Sequence, residues 1–565
     1  MKKISLLIVS IIFIHQSFAQ PKSYTNPILG GFYPDPSICR VGDDYYLVNS
    51  SFSYFPGLPL FHSKDLVNWK QIGHAMNRPE QLNLDGAGVS RGLFAPDITY
   101  HKGTFYIVCT LIDKLGNFII TAKDPKGPWS NPVALPQVDG IDPSLFFDDN
   151  DKAYILFNSI PPDNKSMHDG HRTIRMFELD WKNLKVTGEE KLLINGGTDM
   201  AKKPVWIEGP HIFKKDGWYY MICAEGGTGY NHSEVVFRSK SVEGPFISYE
   251  NNPVLTQRQL DPSRKNPVTT TGHADMIETK DGKWYAVFLG CRPYEGDYYN
   301  TGRETFMAPV EWKDGWPVIL AGNEEVKYRY PVPMPSLTKT VANSFSGNLT
   351  YRDEFSHSSL NDRWIFLRTL RKKWYSLSER KGFLTMQLQP GTCAGKTNPS
   401  FIAHRQQNLS CTATTSLSFD PSNDDEKAGL VIFQNEQHFY FICMTFGLTP
   451  QSNGPTKMVH LYQSTADSSA MKLIVSQALP NTIKENIRLQ VRADKDQYSF
   501  YYSYGNKPWQ LLADKQDGKF LSTKDAGGFV GSVFALYATS SGKESSKKAY
   551  FDWFEYKGND EVYKQ

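Results

Sequence analysis

Three acids and a histidine recur at one place in a repeated pattern. Tyr33-Pro34-Asp35-Pro36-Ser37-Ile38 leads through a Gly42/Asp43 turn to Tyr45-Tyr46-Leu47-Val48. Ala95-Pro96-Asp97-Ile98 leads through Lys102-Gly103 to Phe105-Tyr106-Ile107. Asp142-Pro143-Ser144-Leu145 leads through Asp148-Asp149-Asn150 to Ala153-Tyr154-Ile155. Glu208-Gly209-Pro210-His211-Ile212 leads through Asp216-Gly217 to Trp218-Tyr219-Tyr220. His273-Ala274-Asp275-Met276 leads through Asp281-Gly282 to Trp284-Tyr285-Ala286. Aligned on the turn, the leading position reads Asp35, Ala95, Asp142, Glu208, His273. A lone Asp-Pro reads as a turn. Two Asp-Pro-Ser copies, a glutamate and a histidine in one column read as a site, because gathered carboxylates repel unless they have a task.

The elements that would gather them follow from the same pattern. Each unit is strand, hairpin turn, strand, with alternating apolar residues bounded by Gly and Asp. Units begin roughly 45–65 residues apart, as in four-stranded propeller blades. Equivalent positions of propeller blades surround one axis, so the column converges at one mouth of the central channel. The fold expected is all-β. A five-bladed propeller spans 20–321, a Pro-rich connector spans 322–348, and a second β region over 349–565 reads as a sandwich, jelly-roll or concanavalin-like.

Composition agrees with export of a globular β protein. Of 565 residues 40% are hydrophobic and 13% aromatic, with 30 Tyr and 12 Trp. Net charge is +3, from 62 basic against 59 acidic residues, with no basic stripe to suggest nucleic acid. Met1-Lys2-Lys3, an apolar run from Ile4 to Ile14 and Ser17-Phe18-Ala19 read as a signal peptide over 1–19, too short for a membrane span. The expected destination is the periplasm or the extracellular space. Seven widely spaced Cys carry no CxxC, so neither a metal cage nor a disulfide framework is implied.

Inverting hydrolysis of a glycosidic bond needs an acid at the leaving oxygen. It also needs an ionised carboxylate activating water on the opposite ring face, about 6.5–9.5 Å away. Asp35 and Glu208, on blades one and four, suit base and acid. Asp142 would add a negative charge that raises the proton affinity of Glu208. Asp97 and Asp275, two places past the leading position, read as caps or backbone ligands. His273 reads as a core or channel histidine, with a cation through water as an alternative. Arg303 reads as a sugar-hydroxyl donor, as a partner of the acids, or as one half of an inter-strand Arg–Glu ion pair. Phe52 and Phe94 flank unit starts, where rings could stack on sugar.

At these motifs the chain resembles glycoside hydrolase family 43, over nearly the whole sequence after residue 19. Pro34-Asp35-Pro36-Ser37 is similar to the family's general-base motif. Gly140-Ile141-Asp142-Pro143-Ser144 is similar to that of the acid that tunes proton affinity and orients substrate. Ile207-Glu208-Gly209-Pro210 is similar to the general-acid motif. The resemblance makes His273 a channel histidine near a central water or a structural calcium, and Arg303 a contact to sugar hydroxyls. It sets Phe52 in the terminal-sugar pocket. Similar xylosidases usually carry Trp where this chain has Phe94, which reshapes that pocket. In relatives the sandwich lends an aromatic to the mouth, and Phe529 in Gly527-Gly528-Phe529-Val530-Gly531 is the candidate.

The activity implied is exo-acting, inverting removal of terminal α-L-arabinofuranosyl or β-D-xylosyl groups from hemicellulose or its oligosaccharides, without a required cofactor. An endo-arabinanase and a non-catalytic carbohydrate-binding propeller are the alternatives. The pentose and the oligomeric state stay open.

Overall fold

A computed structural model describes residues 23–334, 345–448, 454–467, 470–480 and 486–564. The signal peptide expected over 1–19 lies outside them, as does the 335–344 part of the connector.

Five antiparallel sheets follow one another along the first half. Each begins with an inner strand: Ser37–Val41, Leu93–His101, Ile141–Phe147, Glu208–Lys215 and Thr269–Glu278. Apolar β-formers turn inward along each, and tight turns reverse the chain. Lys102-Gly103 and Asp216-Gly217 place two consecutive residues in left-handed backbone, the geometry that matches strand twist in a two-residue hairpin. Every inner strand packs on the next, and the fifth packs back on the first, so the ring is closed.

The segment ahead of blade one is stitched to blade five. Leu29 bridges Thr305. The Tyr24 hydroxyl and the Asn26 amide both donate to the Met307 carbonyl at 2.9 Å. Within the expected connector, Arg329–Pro331 pairs with Ser23–Thr25, and Val326 and Tyr330 are buried. That part of the stretch is propeller wall, a role its prolines concealed.

The second half folds into two facing sheets. One centres on Lys548–Gly558 and Ser410–Ser418, the other on Lys427–Asn435 and Val533–Thr539. At its edge the second sheet accepts a strand from the propeller. Tyr54–Phe55, in the blade-one loop, pairs with Ile365–Leu367. The only α-helix among the described residues is Thr523–Ala526, capped by the Ser522 hydroxyl and ended at Gly527. Ser522 also accepts from Tyr299 N at 3.0 Å and donates to Tyr299 O at 3.1 Å, which fixes the following loop against blade five. All seven cysteines are buried and unpaired.

Candidate active site

The inner strands begin irregularly where the column sits. Register shifts fall between Ile141 and Ser144, between Glu208 and His211, and between Thr269 and Asp275. Such bulges re-aim side chains beside active sites. Asp35, Asp142 and His273 hold left-handed backbone, with φ of 52°, 53° and 51°. For non-glycine residues that conformation costs about 1–3 kcal/mol and persists where surrounding structure imposes it. Gly209 answers a packing need. A Cβ there would meet the His273 Nε2 at 2.8 Å.

These starts open into a cavity of about 550 Å³. Asp35, Asp142, Glu208, His273, Arg303, Phe52, Phe94 and Phe529 all line it. Asp35, Asp142, His273 and Arg303 are buried, while Glu208 keeps partial exposure. Donor atoms of Asp142, Glu208 and His273 lie within 4.8 Å of one another. Asp35 accepts from the Ser50 hydroxyl at 2.5 Å and from Arg303 Nη1 at 3.1 Å, and its Oδ1 lies 3.8 Å from His273 Nδ1. Arg303 Nη1 also donates to the Thr228 hydroxyl at 3.0 Å. Arg303 thus faces Asp35 and Thr228 and pairs with no glutamate among the described residues; its neighbour Glu304 pairs with Arg292.

The aromatic wall joins both domains. Phe52 and Phe529 stack with centroids 6.0 Å apart, and Phe94 meets Phe529 edge-on at 5.9 Å. The Arg303 guanidinium lies 5.8 Å from the Phe52 ring and 5.3 Å from that of Phe529. Phe529 N donates to the Ser90 hydroxyl at 2.9 Å, which anchors the sandwich loop to the propeller rim.

Electrostatics divides the acids. Burial alone would raise the Asp35 carboxyl, but Arg303, His273 and the Ser50 hydroxyl outweigh it and hold Asp35 below the ordinary range. Burial, then the Asp35 charge, push Glu208 up to about 7. Burial, with Glu208 and Asp35, raises Asp142 well above the carboxylate range. The rise at Glu208 therefore comes first from desolvation, where sequence reasoning assigned it to Asp142. Burial holds His273 down to about 4, so the imidazole is neutral near pH 7.

One layer deeper, the channel is tied shut. The Ser37 hydroxyl donates to Asp97 Oδ1 at 3.1 Å and to Asp275 Oδ2 at 2.9 Å. Asp97 accepts from Leu145 N at 3.0 Å and Asp275 from Ile38 N at 2.8 Å. His211 Nδ1 stands 3.4 Å from Asp97 Oδ1. Burial opposes charge on His211, but Asp275 and Asp97 push it up to about 9, so an imidazolium sits between them. One network therefore joins all five inner strands.

The donors suit calcium poorly. Ca²⁺ takes about six to eight oxygens. The upper group offers two carboxylates and a nitrogen, and the lower group already holds the His211 cation.

Sequence reasoning missed Trp206 and Arg172, which also line the cavity. Trp206 stands two residues before Glu208, a local signal that was available. Arg172 lies in the loop before Thr173–Asp180 and carries no local mark.

A closed β ring that presents acids of opposed proton affinity to a walled cavity defines a glycoside hydrolase. Residues 24–317 match the pattern described as glycosyl hydrolases family 43, and residues 352–557 match the beta-xylosidase C-terminal concanavalin A-like domain. The chain belongs to glycoside hydrolase family 43. It is 39% identical over 540 residues to a xylosidase/arabinosidase of Butyrivibrio fibrisolvens, covering 94% of this chain and 98% of that one. It is 36% identical over 564 residues to a non-reducing end α-L-arabinofuranosidase of Bacteroides ovatus, covering 98% of each. A solved structure of xylan β-1,4-xylosidase from Bacillus halodurans aligns with a TM-score of 0.83 at 30% identity, covering 94% of this chain and 100% of that one.

Proposed function

We propose that this hydrolase is exported and removes terminal α-L-arabinofuranosyl or β-D-xylosyl groups from hemicellulose-derived chains, with inversion and without a cofactor. The observation that carries the reading is the division of proton affinity across one cavity. Asp35 is held ionised by Arg303 and serves as the base that activates water. Glu208, whose pKa is raised to about 7 and which keeps a substantial protonated fraction there, gives its proton to the leaving oxygen. Asp142 keeps the acid pair sharing a proton and orients the sugar. Neutral His273 supports Asp35, and Arg303 contributes donors to sugar hydroxyls.

Exo action is supported by the Phe52–Phe529 wall and by the tied channel below, which leave little room for a chain to run through. The same wall disfavours an endo-arabinanase. The raised Glu208 disfavours a purely binding role, because binding sugar needs no proton donor. The names of the relatives support both pentoses.

The test is hydrolysis of aryl α-L-arabinofuranosides, aryl β-D-xylosides and hemicellulose oligosaccharides, with the first-formed anomer followed by NMR. Inverted monosaccharide product is expected. Retained configuration, or long oligosaccharides as first products, would overturn the reading.

A further inference from the structure

Beside Glu208 the cavity carries an aromatic platform with a cation laid against it. Trp206 is half-buried and lines the cavity, two residues before Glu208. Its backbone is left-handed, with φ of 51°, and is held there from both sides. Trp206 N donates to Gly170 O at 2.8 Å, and Gly226 N donates to Val205 O at 2.7 Å. The Arg172 guanidinium lies 4.0 Å from the Trp206 ring centre. Arg172 donates no side-chain hydrogen bond and makes no ion pair among the described residues, and its Nε is buried without a partner. A guanidinium is a planar fork of five donors. One stacked on an indole at a cavity wall, with its donors unspent, is built for a ligand rich in hydroxyl oxygens.

The direction follows from the chemistry. The proton from Glu208 goes to the bridging oxygen, so the departing sugar lies on the Glu208 side. The terminal pentose lies at the other end, among Asp35, Arg303, Phe52 and Phe529. We infer that Trp206 and Arg172 form the subsite for the leaving-group sugar: its ring face stacks on the indole and its hydroxyls accept hydrogen bonds from the guanidinium. The inference rests on Glu208 being the proton donor.

Arg172 then has a second effect through position. Glu208 titrates in the field of Asp35, Arg303 and Arg172, with Asp142 and His273 within 4.8 Å, and Arg172 favours its ionised form. The residue that grips the departing sugar also restrains the affinity of the acid for its proton.

The experiment compares two substrates of the pentose the enzyme accepts: a natural disaccharide or oligosaccharide, and the matching pentosyl fluoride, which has no sugar leaving group. The quantity read is the ratio of their kcat/KM values. Trp206→Ala is expected to lower that ratio by roughly tenfold or more, and Trp206→Phe to restore part of it. Arg172→Met should lower the ratio and move the alkaline limb of the oligosaccharide pH profile upward, whereas Arg172→Lys should keep the limb in place. Thermal melts identify a variant that fails to fold, and the conservative variants then carry the test. An unchanged ratio, or equal losses on both substrates, would overturn the subsite. Glu208→Gln losing kcat/KM equally on both substrates would instead remove the proton-donor assignment beneath it.

Discussion

Arg303 Nη1 stands 3.1 Å from Asp35 Oδ1, and both side chains are buried. The contact is what keeps a desolvated carboxylate ionised. Arg303→Met is expected to lower kcat/KM by about 10²–10⁴, the range of a lost general base. The sign of the pH effect follows from the charge. Without the cation the Asp35 affinity for protons rises, so the acid limb of the kcat/KM profile moves to higher pH. A limb that stays in place would separate Arg303 from Asp35.

As the proposed proton donor Glu208 acts in its protonated form, and its pKa is held up to about 7. Activity is therefore expected to fall as pH rises through about 7. Glu208→Gln should remove that limb and spare substrates whose leaving groups need no proton. Stability carries the same sign. The folded carboxyl keeps a proton that the unfolded chain releases above its ordinary value, so stability is lost between that value and about 7 as pH rises. Denaturant titrations at several pH values should show a shallower loss in Glu208→Gln than in wild type.

Phe529 crosses from the sandwich to wall the cavity. Phe529→Ala removes contacts to Phe52, Phe94 and the Arg303 face. Those contacts, worth about 0.5–1.5 kcal/mol each, stabilise the wall itself; a sugar face that loses one contact of comparable size lowers kcat/KM for pentosides by roughly two- to tenfold. Product-size analysis on a linear polysaccharide reads the wall directly. Longer early products from the variant are the expected outcome, and an unchanged pattern would remove Phe529 as the barrier.

Arg292 is the buried tie between domains. It pairs with Glu304 of blade five at 2.6 Å and with Asp560, beyond the last sandwich strand, at 2.8 Å. Asp560→Ala leaves Arg292 paired with Glu304 but removes the acceptor of Arg292, Asn408 and Ser410 N, and a lost buried hydrogen bond to a charged group costs about 1.5–3 kcal/mol. Equilibrium denaturation should report that loss, and a change under about 1 kcal/mol would mean that water reaches the pair.

The blade repeat was legible because it is local: period-two apolar residues and Gly-Asp turns mark each hairpin. The column of Asp35, Asp142, Glu208 and His273 was legible because blade symmetry converts sequence position into place around the axis. Asp97 and Asp275 were readable as backbone ligands for the same reason, although not as parts of one knot with Ser37 and His211. Tertiary partners left no such mark. Nothing near Tyr54–Phe55 announces that these residues will join a sheet whose next strand begins at Ile365. Arg172 shows no partner until the loop before Thr173 folds over Trp206. The connector was read from its prolines, whereas Tyr330 and Val326 pack because of what the ring offers them.

The pairing of Tyr54–Phe55 with the sandwich bears on how such enzymes can diversify. Phe52 stands two residues away, so the loop that lines the cavity is also woven into the neighbouring fold. Exchanging the C-terminal half for another module would unravel the pocket along with the junction. A change that displaces Ile365–Leu367 therefore reaches the cavity wall through this pairing.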